Sequence, residues 1–324
     1  MIKSSAVENH YQAFSLMRLP SEIVRLIVEE VECTQSLVAL SQASKQLQME
    51  AERLLYRSLT EPDGTKSFKC LSSVGKSLRR AAYVHAYHVH TTVHKQHRSI
   101  WNLIRRTLPL MVNLKELVFR DELGSEPHGA IFPAKFKPHL EKFAWTVLTG
   151  NPYQHPKGPE DQSYVSQALK FLEGQTQLRV LHWQPLSQTE PNPKPCPESF
   201  FPKLDTLIGD IITLQTFLPG RGKATTLQLL TGIGTRPLPN NETFEQVFNK
   251  LSPQLKGIKQ FSIQPLSEIY WESATISLQP MITHLYSLET LQVFSLSELD
   301  VVRNFYEAPL VTHSDFNSTE RGAA

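Results

Sequence analysis

Apolar residues near the start of the chain recur at helical spacing. Ile23, Ile27 and Val31, with Leu26 beside them, form a one-sided stripe that predicts a helix. Pro20 suits a first helical turn, because its missing N–H would lack a helical partner there. Acidic residues cluster beyond the stripe, where the helix dipole disfavours negative charge, so we expect this helix to end near Val31.

Two further short helices are predicted directly after the first. Thr34 is a candidate N-cap for a helix that carries Leu37, Val38 and Leu40, and Ser44 is a candidate N-cap for a third. Three short helices bury little surface by themselves, so such a unit is marginally stable alone.

A short apolar pattern then recurs along the chain, and we call each copy a frame. It consists of two apolar residues three positions apart, followed one or two positions later by another apolar residue. Its first residues are 30, 26, 38, 26, 20, 34 and 30 positions apart, a mean near 29. A short strand and a helix at about this period are typical of stacked repeat units that share one core. The frames begin at Val84, Leu114, Leu140, Leu178, Leu204, Ala224, Ile258 and Leu288.

Amphipathic stretches between the frames predict helices. They are Ser99–Leu108, Gln162–Leu172, Thr243–Leu251 and, more weakly, Ser277–Leu285, while residues 66–80, before the first frame, look helical and basic. If the frames are strands, alternate side chains point into one core. The residues predicted to face that core are Leu117, Phe119, Leu181, Trp183, Leu227, Leu229, Phe261, Ile263, Leu291 and Val293.

These patterns predict an α+β protein in three parts. A small all-α three-helix module covers residues 14–60, an irregular α/β leucine-rich-repeat-like solenoid covers 61–310, and a flexible tail covers 311–324. The standard Asn or Cys position of such repeats is missing, so a non-repetitive α/β domain is the alternative. Proline-rich stretches at 151–160 and 185–202 predict surface loops.

Composition narrows the function classes. The chain has 324 residues, a net charge of +2 and 40% hydrophobic residues, and its lysines and arginines look scattered, which speaks against a nucleic-acid binder. It contains neither a run of 18 apolar residues nor a secretory leader pattern. Cys33, Cys70 and Cys196 predict no disulfide framework. We therefore expect a cytoplasmic or nuclear protein without a membrane span.

Histidines cluster at His85, His88, His90, His94 and His97. Their spacing fits no familiar zinc motif and no cysteine or carboxylate lies among them, so we predict no metal site.

Catalytic motifs are missing from the sequence. The stretch Pro219–Thr225 resembles a phosphate loop, but Phe217 occupies the position of its first glycine and Ala224 that of its Ser or Thr. The sequence thus predicts no cofactor and no enzyme activity, although a hydrolase without a recognisable motif stays open.

The N-terminal pattern resembles the F-box, above all that of the large fungal families. The resemblance rests on Leu19-Pro20-x-Glu22-Ile23, Ile27, Leu37-Val-Ala-Leu-Ser, Ser44-x-x-Leu47 and Leu54-Leu55-Tyr56-Arg57, within residues 16–59. Many F-boxes carry an aromatic residue where Leu47 stands. The resemblance implies docking on a Skp-family adaptor through Leu19, Pro20, Ile23, Ile27, Leu37 and Leu40.

By the same resemblance, the protein is the substrate-recognition subunit of an SCF-type cullin ubiquitin ligase. The region after the F-box would bind an unknown substrate protein, with the loop 185–202 as a candidate contact, and other subunits would carry out the chemistry. The alternative is a non-catalytic repeat scaffold that binds a protein partner and has no ubiquitin role.

Overall fold

The structure is a computed structural model in which the chain divides into two compact units, Met1–Ser58 and Leu59–Ala324. It describes residues 19–61, 64–91, 97–121, 132, 136, 138–147, 161–184, 195–197, 199–220, 223–231, 243–265 and 283–293.

The first unit consists, in its described part, of three helices. They are α1 (Ser21–Glu29), α2 (Thr34–Ala43) and α3 (Lys45–Leu55). Helix α1 begins directly after Pro20, and Ser44 caps α3 by accepting a hydrogen bond from the Leu47 amide at 3.2 Å. The helices share one small apolar core formed by Val24, Val28, Leu37, Leu47 and Ala51.

The second unit contains a nine-stranded sheet in which the strands follow chain order from β1 to β9, and the pairs from β2 to β9 are all parallel. The described helices of this unit lie in the connections between strands, as parallel pairing requires. The strands are β1 (Ser58–Glu61), β2 (Ala86–Thr91), β3 (Glu116–Asp121), β4 (Lys142–Val147), β5 (Val180–Gln184), β6 (Thr206–Gly209), β7 (Thr226–Thr231), β8 (Gln260–Pro265) and β9 (Thr290–Val293). The helices are α4 (Gly64–Gly75), α5 (Leu78–Tyr83), α6 (His97–Thr107), α7 (Asp161–Glu173), α8 (Ile211–Phe217) and α9 (Phe244–Leu255), with a short 3-10 helix at Leu108–Leu110.

The register of the sheet is constant from β2 to β9. Each of these strands begins two residues after the first residue of its apolar frame, for example at Glu116 after Leu114. From β3 to β9, the amide of each strand's first residue and the amide just before it both donate to one carbonyl, which belongs to the residue just before the neighbouring strand. At β3 the Lys115 and Glu116 amides donate to the His85 carbonyl at 2.8 and 3.0 Å.

The inward side chains of the strands form two buried rows. One row contains aromatic side chains, with ring centroids 5.8 Å apart for Phe119 and Trp145 and 6.1 Å apart for Trp145 and Trp183. Eight of the ten residues predicted to face the core are buried, whereas Leu291 is only partly buried and the side chain of Val293 is not described.

At the end of β6, Gly209 is the next position after Trp183 in the row that contains the aromatic side chains. A Cβ there would lie 2.4 Å from the Cγ2 atom of Thr213 and 2.7 Å from the Trp183 carbonyl oxygen. The Thr213 hydroxyl donates to that carbonyl at 3.0 Å, and Asp210 caps α8 by accepting from the Thr213 amide at 2.7 Å. The absence of a side chain at Gly209 therefore lets α8 pack closely against the sheet.

The predicted fold class is wrong. The structure has a nine-stranded parallel sheet with helices, an α/β arrangement, in place of an α+β protein built from a three-helix module and an irregular leucine-rich-repeat-like solenoid. The prediction inferred a separate helical module from the helices that precede the sheet, and an irregular solenoid from the uneven spacing of the frames. The irregularity lies in the connections, whereas the strands keep one register across a single sheet.

The predicted helices have mixed outcomes. Residues 66–80 divide between α4 and α5, while Ser99–Leu108 and Gln162–Leu172 correspond to α6 and α7. The predicted stretch Thr243–Leu251 corresponds to α9, in which Thr243 is the N-cap and the helix runs past Leu251 and through Pro253 to Leu255, which is fully buried. Helix α8 and strand β1 were not predicted. Most of Ser277–Leu285, the tail 311–324 and most of the loops 151–160 and 185–202 lie outside the described residues.

Candidate functional site

Helix α1 has apolar side chains on two neighbouring faces, of which one is buried and the other is exposed. Val24 and Val28 are buried in the core of the helical unit, whereas Ile23, Leu26 and Ile27 are 42%, 58% and 46% exposed. Three large apolar side chains in two adjacent turns of one helix form a patch without cover in the described unit. We call Ile23, Leu26 and Ile27 the α1 patch.

Contacts at both ends hold α1 in place. The Gln46 side-chain amide donates to the Leu19 carbonyl at 3.3 Å, just before the helix begins. At the other end, the Glu29 carboxylate accepts from Arg53 at 2.7 Å and from Arg25 at 3.0 Å. These arginines lower the pKa of Glu29 from its usual value. The α1 patch is therefore presented on a helix tied to α3, which limits the conformational entropy that a partner would have to remove.

The six residues predicted to contact an adaptor occupy different environments. Ile23 and Ile27 belong to the α1 patch and Pro20 is exposed beside it. Leu19 and Leu40 are partly buried and pack against the core. Leu37 is only 7% exposed, so it supports the unit from inside and offers little surface. Leu26 lies beside the predicted stripe and is not among the predicted contacts, although it is the most exposed member of the α1 patch.

The outward face of the sheet carries many polar side chains, in contrast to the two inward rows, although Val118, Ala144 and Leu230 on this face are apolar and buried. On the side of the sheet nearer to β1, Glu116 on β3 lies between His88 on β2 and Lys142 on β4. Its Oε1 atom is 3.1 Å from the His88 Nε2 atom and 2.6 Å from the Lys142 Nζ atom. The hydrogen bond from His88 and the charge of Lys142 lower the pKa of Glu116 to about 2. This carboxylate therefore stays ionised in the folded protein at any physiological pH.

His182 on β5 lies on the same face. Its Nε2 atom is 3.3 Å from the Thr146 hydroxyl. Burial lowers the pKa of His182 to about 4, the charges of Lys142 and Arg120 act in the same direction, and the neighbouring Gln184 amide opposes them. The imidazole is therefore neutral at neutral pH and is a hydrogen-bonding group of this face, not a charged one.

The lowered pKa of His182 predicts a loss of stability in mild acid. The unfolded chain takes up a proton on this histidine below about pH 6.5, whereas the folded chain does so only below about pH 4, so stability falls as the pH falls between these values. Between pH 7.5 and pH 5 this histidine should account for about 2 kcal/mol of that loss. Urea unfolding of wild type and His182→Gln at both pH values measures it.

The control for this prediction is His139→Gln, because the side chain of His139 is exposed. The free energy of unfolding of His182→Gln should depend less on pH than that of wild type, and His139→Gln should behave as wild type does. Equal pH dependence in all three proteins would contradict the assignment.

On β8 and β9 the outward side chains are amides and hydroxyls. The Gln228 amide donates to the Gln264 side-chain oxygen at 2.6 Å. Between β7 and β9 lies a depression of about 50 Å³, lined by Thr226, Gln260, Phe261, Ser262, Thr290 and Gln292. Small-molecule sites usually enclose roughly 300–1,000 Å³, so this face is better suited to contact with the surface of a partner.

The described residues include no group of three or more histidine, cysteine, aspartate or glutamate side chains that could hold a metal ion. Of the five clustered histidines, His94 lies outside the described residues and the side chains of His90 and His97 are not described. Within the described part, no helix is long and apolar enough to cross a membrane.

Comparison of the chain with models of known protein families found no match, and comparison with curated proteins found none either.

Proposed function

We propose that the chain is the substrate-recognition subunit of an SCF-type cullin ubiquitin ligase. The helical unit would bind a Skp-family adaptor, and through it the cullin, while the parallel-sheet unit would bind the protein to be ubiquitylated. The protein itself would not catalyse the attachment of ubiquitin, since the other subunits of such a ligase supply that chemistry.

The α1 patch is the observation that carries this proposal. Fully burying an isoleucine or leucine side chain contributes roughly 1.5–3 kcal/mol, so covering Ile23, Leu26 and Ile27 would favour binding strongly. The patch lies within the segment whose residues resemble the F-box, beside the exposed Pro20. Within the described residues of this unit nothing covers these side chains, and a partner that covered them would gain their apolar burial.

The polar outward face of the sheet supports the second half of the proposal. It combines the charged group around Glu116 with the amides of β7 to β9, and it offers hydrogen-bond donors and acceptors along a broad surface. Such surfaces select partners by complementary polar groups, which gives specificity. We therefore assign substrate binding to this face.

The experiment is a binding measurement with the purified chain and a purified Skp-family adaptor, by isothermal titration calorimetry. Saturable binding with one adaptor per chain is the expected result. A folded chain that shows no binding at adaptor concentrations of tens of micromolar would overturn the proposal. A non-catalytic scaffold without a ubiquitin role would then take its place.

A further inference from the structure

The charge of this chain is unevenly distributed, although its net value is small. Residues 64–115 contain ten lysines and arginines and not one aspartate or glutamate. The rest of the chain carries 23 basic and 31 acidic residues, so a segment of 52 residues holds the whole positive excess. The expectation of evenly scattered charge was therefore wrong.

The fold gathers part of this charge at one place. Helices α4 and α6 pack side by side and meet at their C-terminal ends, where a Cβ on Gly75 would lie 2.9 Å from the Cγ2 atom of Thr107. Lys76 follows the end of α4, and Arg105 and Arg106 form the last turn of α6. All three side chains are exposed.

Amphipathic packing explains why the arginines of α6 face outward. Ile100, Trp101 and Ile104 are buried on the inner side of α6, which leaves Arg105 and Arg106 on its outer side. Cations in a last helical turn are favoured by the helix dipole, and this gives them a structural role. Stabilising the end of one helix needs only one or two cations. It does not explain why a segment of 52 residues contains no carboxylate side chain.

Exposed apolar side chains accompany these cations. Leu78, the first residue of α5, is 72% exposed, and Val112, just after the 3-10 helix, is 50% exposed. The Asn113 side-chain amide donates to the Ala82 carbonyl at 2.7 Å, which ties the segment around Val112 to α5. Helix α5 in turn is tied to α4, because the Arg80 guanidinium donates to the Ser73 hydroxyl at 2.8 Å.

We propose that this surface, formed by Lys76, Leu78, Arg105, Arg106 and Val112, binds an acidic peptide segment that carries apolar side chains. We call it the basic surface. Carboxylates of the segment would pair with the cations, and its apolar side chains would cover Leu78 and Val112. The site lies on the helical connections and not on the outward sheet face, and it does not depend on the proposed ubiquitin role.

The charge of the rest of the chain favours a short acidic segment over an extended polyanion. An extended polyanion is favoured by a net positive charge over a long stretch of chain, whereas outside residues 64–115 this chain has eight more acidic than basic residues. Electrostatic interactions reach about 8 Å at physiological ionic strength, so a short segment responds mainly to the cations that it contacts. The exposed Leu78 and Val112 add an apolar component that nucleic-acid phosphates would leave uncovered.

The test is a fluorescence-anisotropy titration of the full chain with a labelled peptide of glutamates and leucines. A matched peptide with glutamines in place of glutamates, a single-stranded DNA oligonucleotide and vesicles of phosphatidylserine and phosphatidylcholine serve as comparison ligands. The acidic peptide should bind most tightly, and its affinity should fall as salt is raised.

Variants locate the binding site. Arg105→Gln with Arg106→Gln should weaken peptide binding at least about fivefold, as expected for the loss of two partly screened ion pairs. Lys170→Gln with Lys223→Gln removes the same charge from exposed positions elsewhere and should change the affinity less than about twofold. Leu78→Ser should lower the affinity for the acidic peptide. It should lower less the affinity for a version of that peptide that has serines in place of the leucines.

Three outcomes would overturn the proposal. They are the absence of peptide binding to a folded chain, equal effects of the two double variants, and tighter binding of the DNA or the vesicles than of the acidic peptide. Thermal melting of each variant shows that a loss of binding does not come from unfolding.

Discussion

Replacing Ile23 and Ile27 together by alanine is expected to weaken binding of a Skp-family adaptor at least about tenfold, because a partner would bury the exposed part of each side chain, which contributes roughly 0.7 kcal/mol or more. The two side chains are 42% and 46% exposed, so the helical unit itself loses little when they are shortened. The thermal melting curve should therefore stay close to that of wild type. Isothermal titration calorimetry measures the affinity and differential scanning calorimetry measures the melting curve.

The matched control is Val38→Ala with Met49→Ala. These side chains are 43% and 48% exposed, on α2 and α3, so the control removes comparable exposed apolar groups from elsewhere in the same unit. Adaptor binding should persist in this control. Equal loss in both double variants, or none in either while the wild type binds, would show that the α1 patch is not the contact.

Leu37→Ala separates an interface role from a core role. Leu37 is nearly buried, so its truncation should lower the stability of the helical unit before it affects any contact surface. Loss of binding by Leu37→Ala would therefore come with a lower melting temperature, unlike loss of binding by the variant of Ile23 and Ile27.

Leu181→Ala is expected to lower the free energy of unfolding by about 2–5 kcal/mol, the usual range for a fully buried leucine. Leu181 is 0% exposed and lies in register between Phe143 on β4 and Leu207 on β6, so the cavity left by its truncation has packed walls on both sides. Urea unfolding followed by tryptophan fluorescence measures the loss, since Trp183 lies two residues further along the same strand.

Leu291→Ala serves as the comparison for Leu181→Ala. Leu291 occupies the same register position on β9, but its side chain is partly exposed. Its truncation should therefore cost clearly less, although the sequence pattern alone predicts the same loss for both leucines. Equal losses would mean that the core continues past β9.

The strands were the part of the fold that the sequence predicted best. An apolar frame with inward positions at Leu117 and Phe119, and again at Leu181 and Trp183, defines both a strand and the side of it that is buried. The fold class was missed because frame spacing reflects connection length, whereas parallel pairing depends on register, which a single sequence does not display. Helix α8 was missed because its seven residues are mostly buried and show little polar alternation.

The candidate site was predicted only in part. Helical spacing identified Ile23 and Ile27 but could not show which apolar face of α1 packs inward, since Val24 and Val28 provide an equally regular stripe. The choice depends on α2 and α3, whose packing is a tertiary property. The basic surface was missed because a net charge of +2 conceals a segment without acidic residues. A running count of charge along the chain would have found it.

The constant register of the sheet determines where this chain can change its length. One residue inserted within a strand would move every following side chain of that strand to the opposite face, so Trp145 or Trp183 would turn outward. One residue inserted in a connection would leave the pairing untouched at a small entropic cost. Proteins that descend from the same ancestor should therefore differ by insertions and deletions between the strands, and the eight frames should keep their internal lengths.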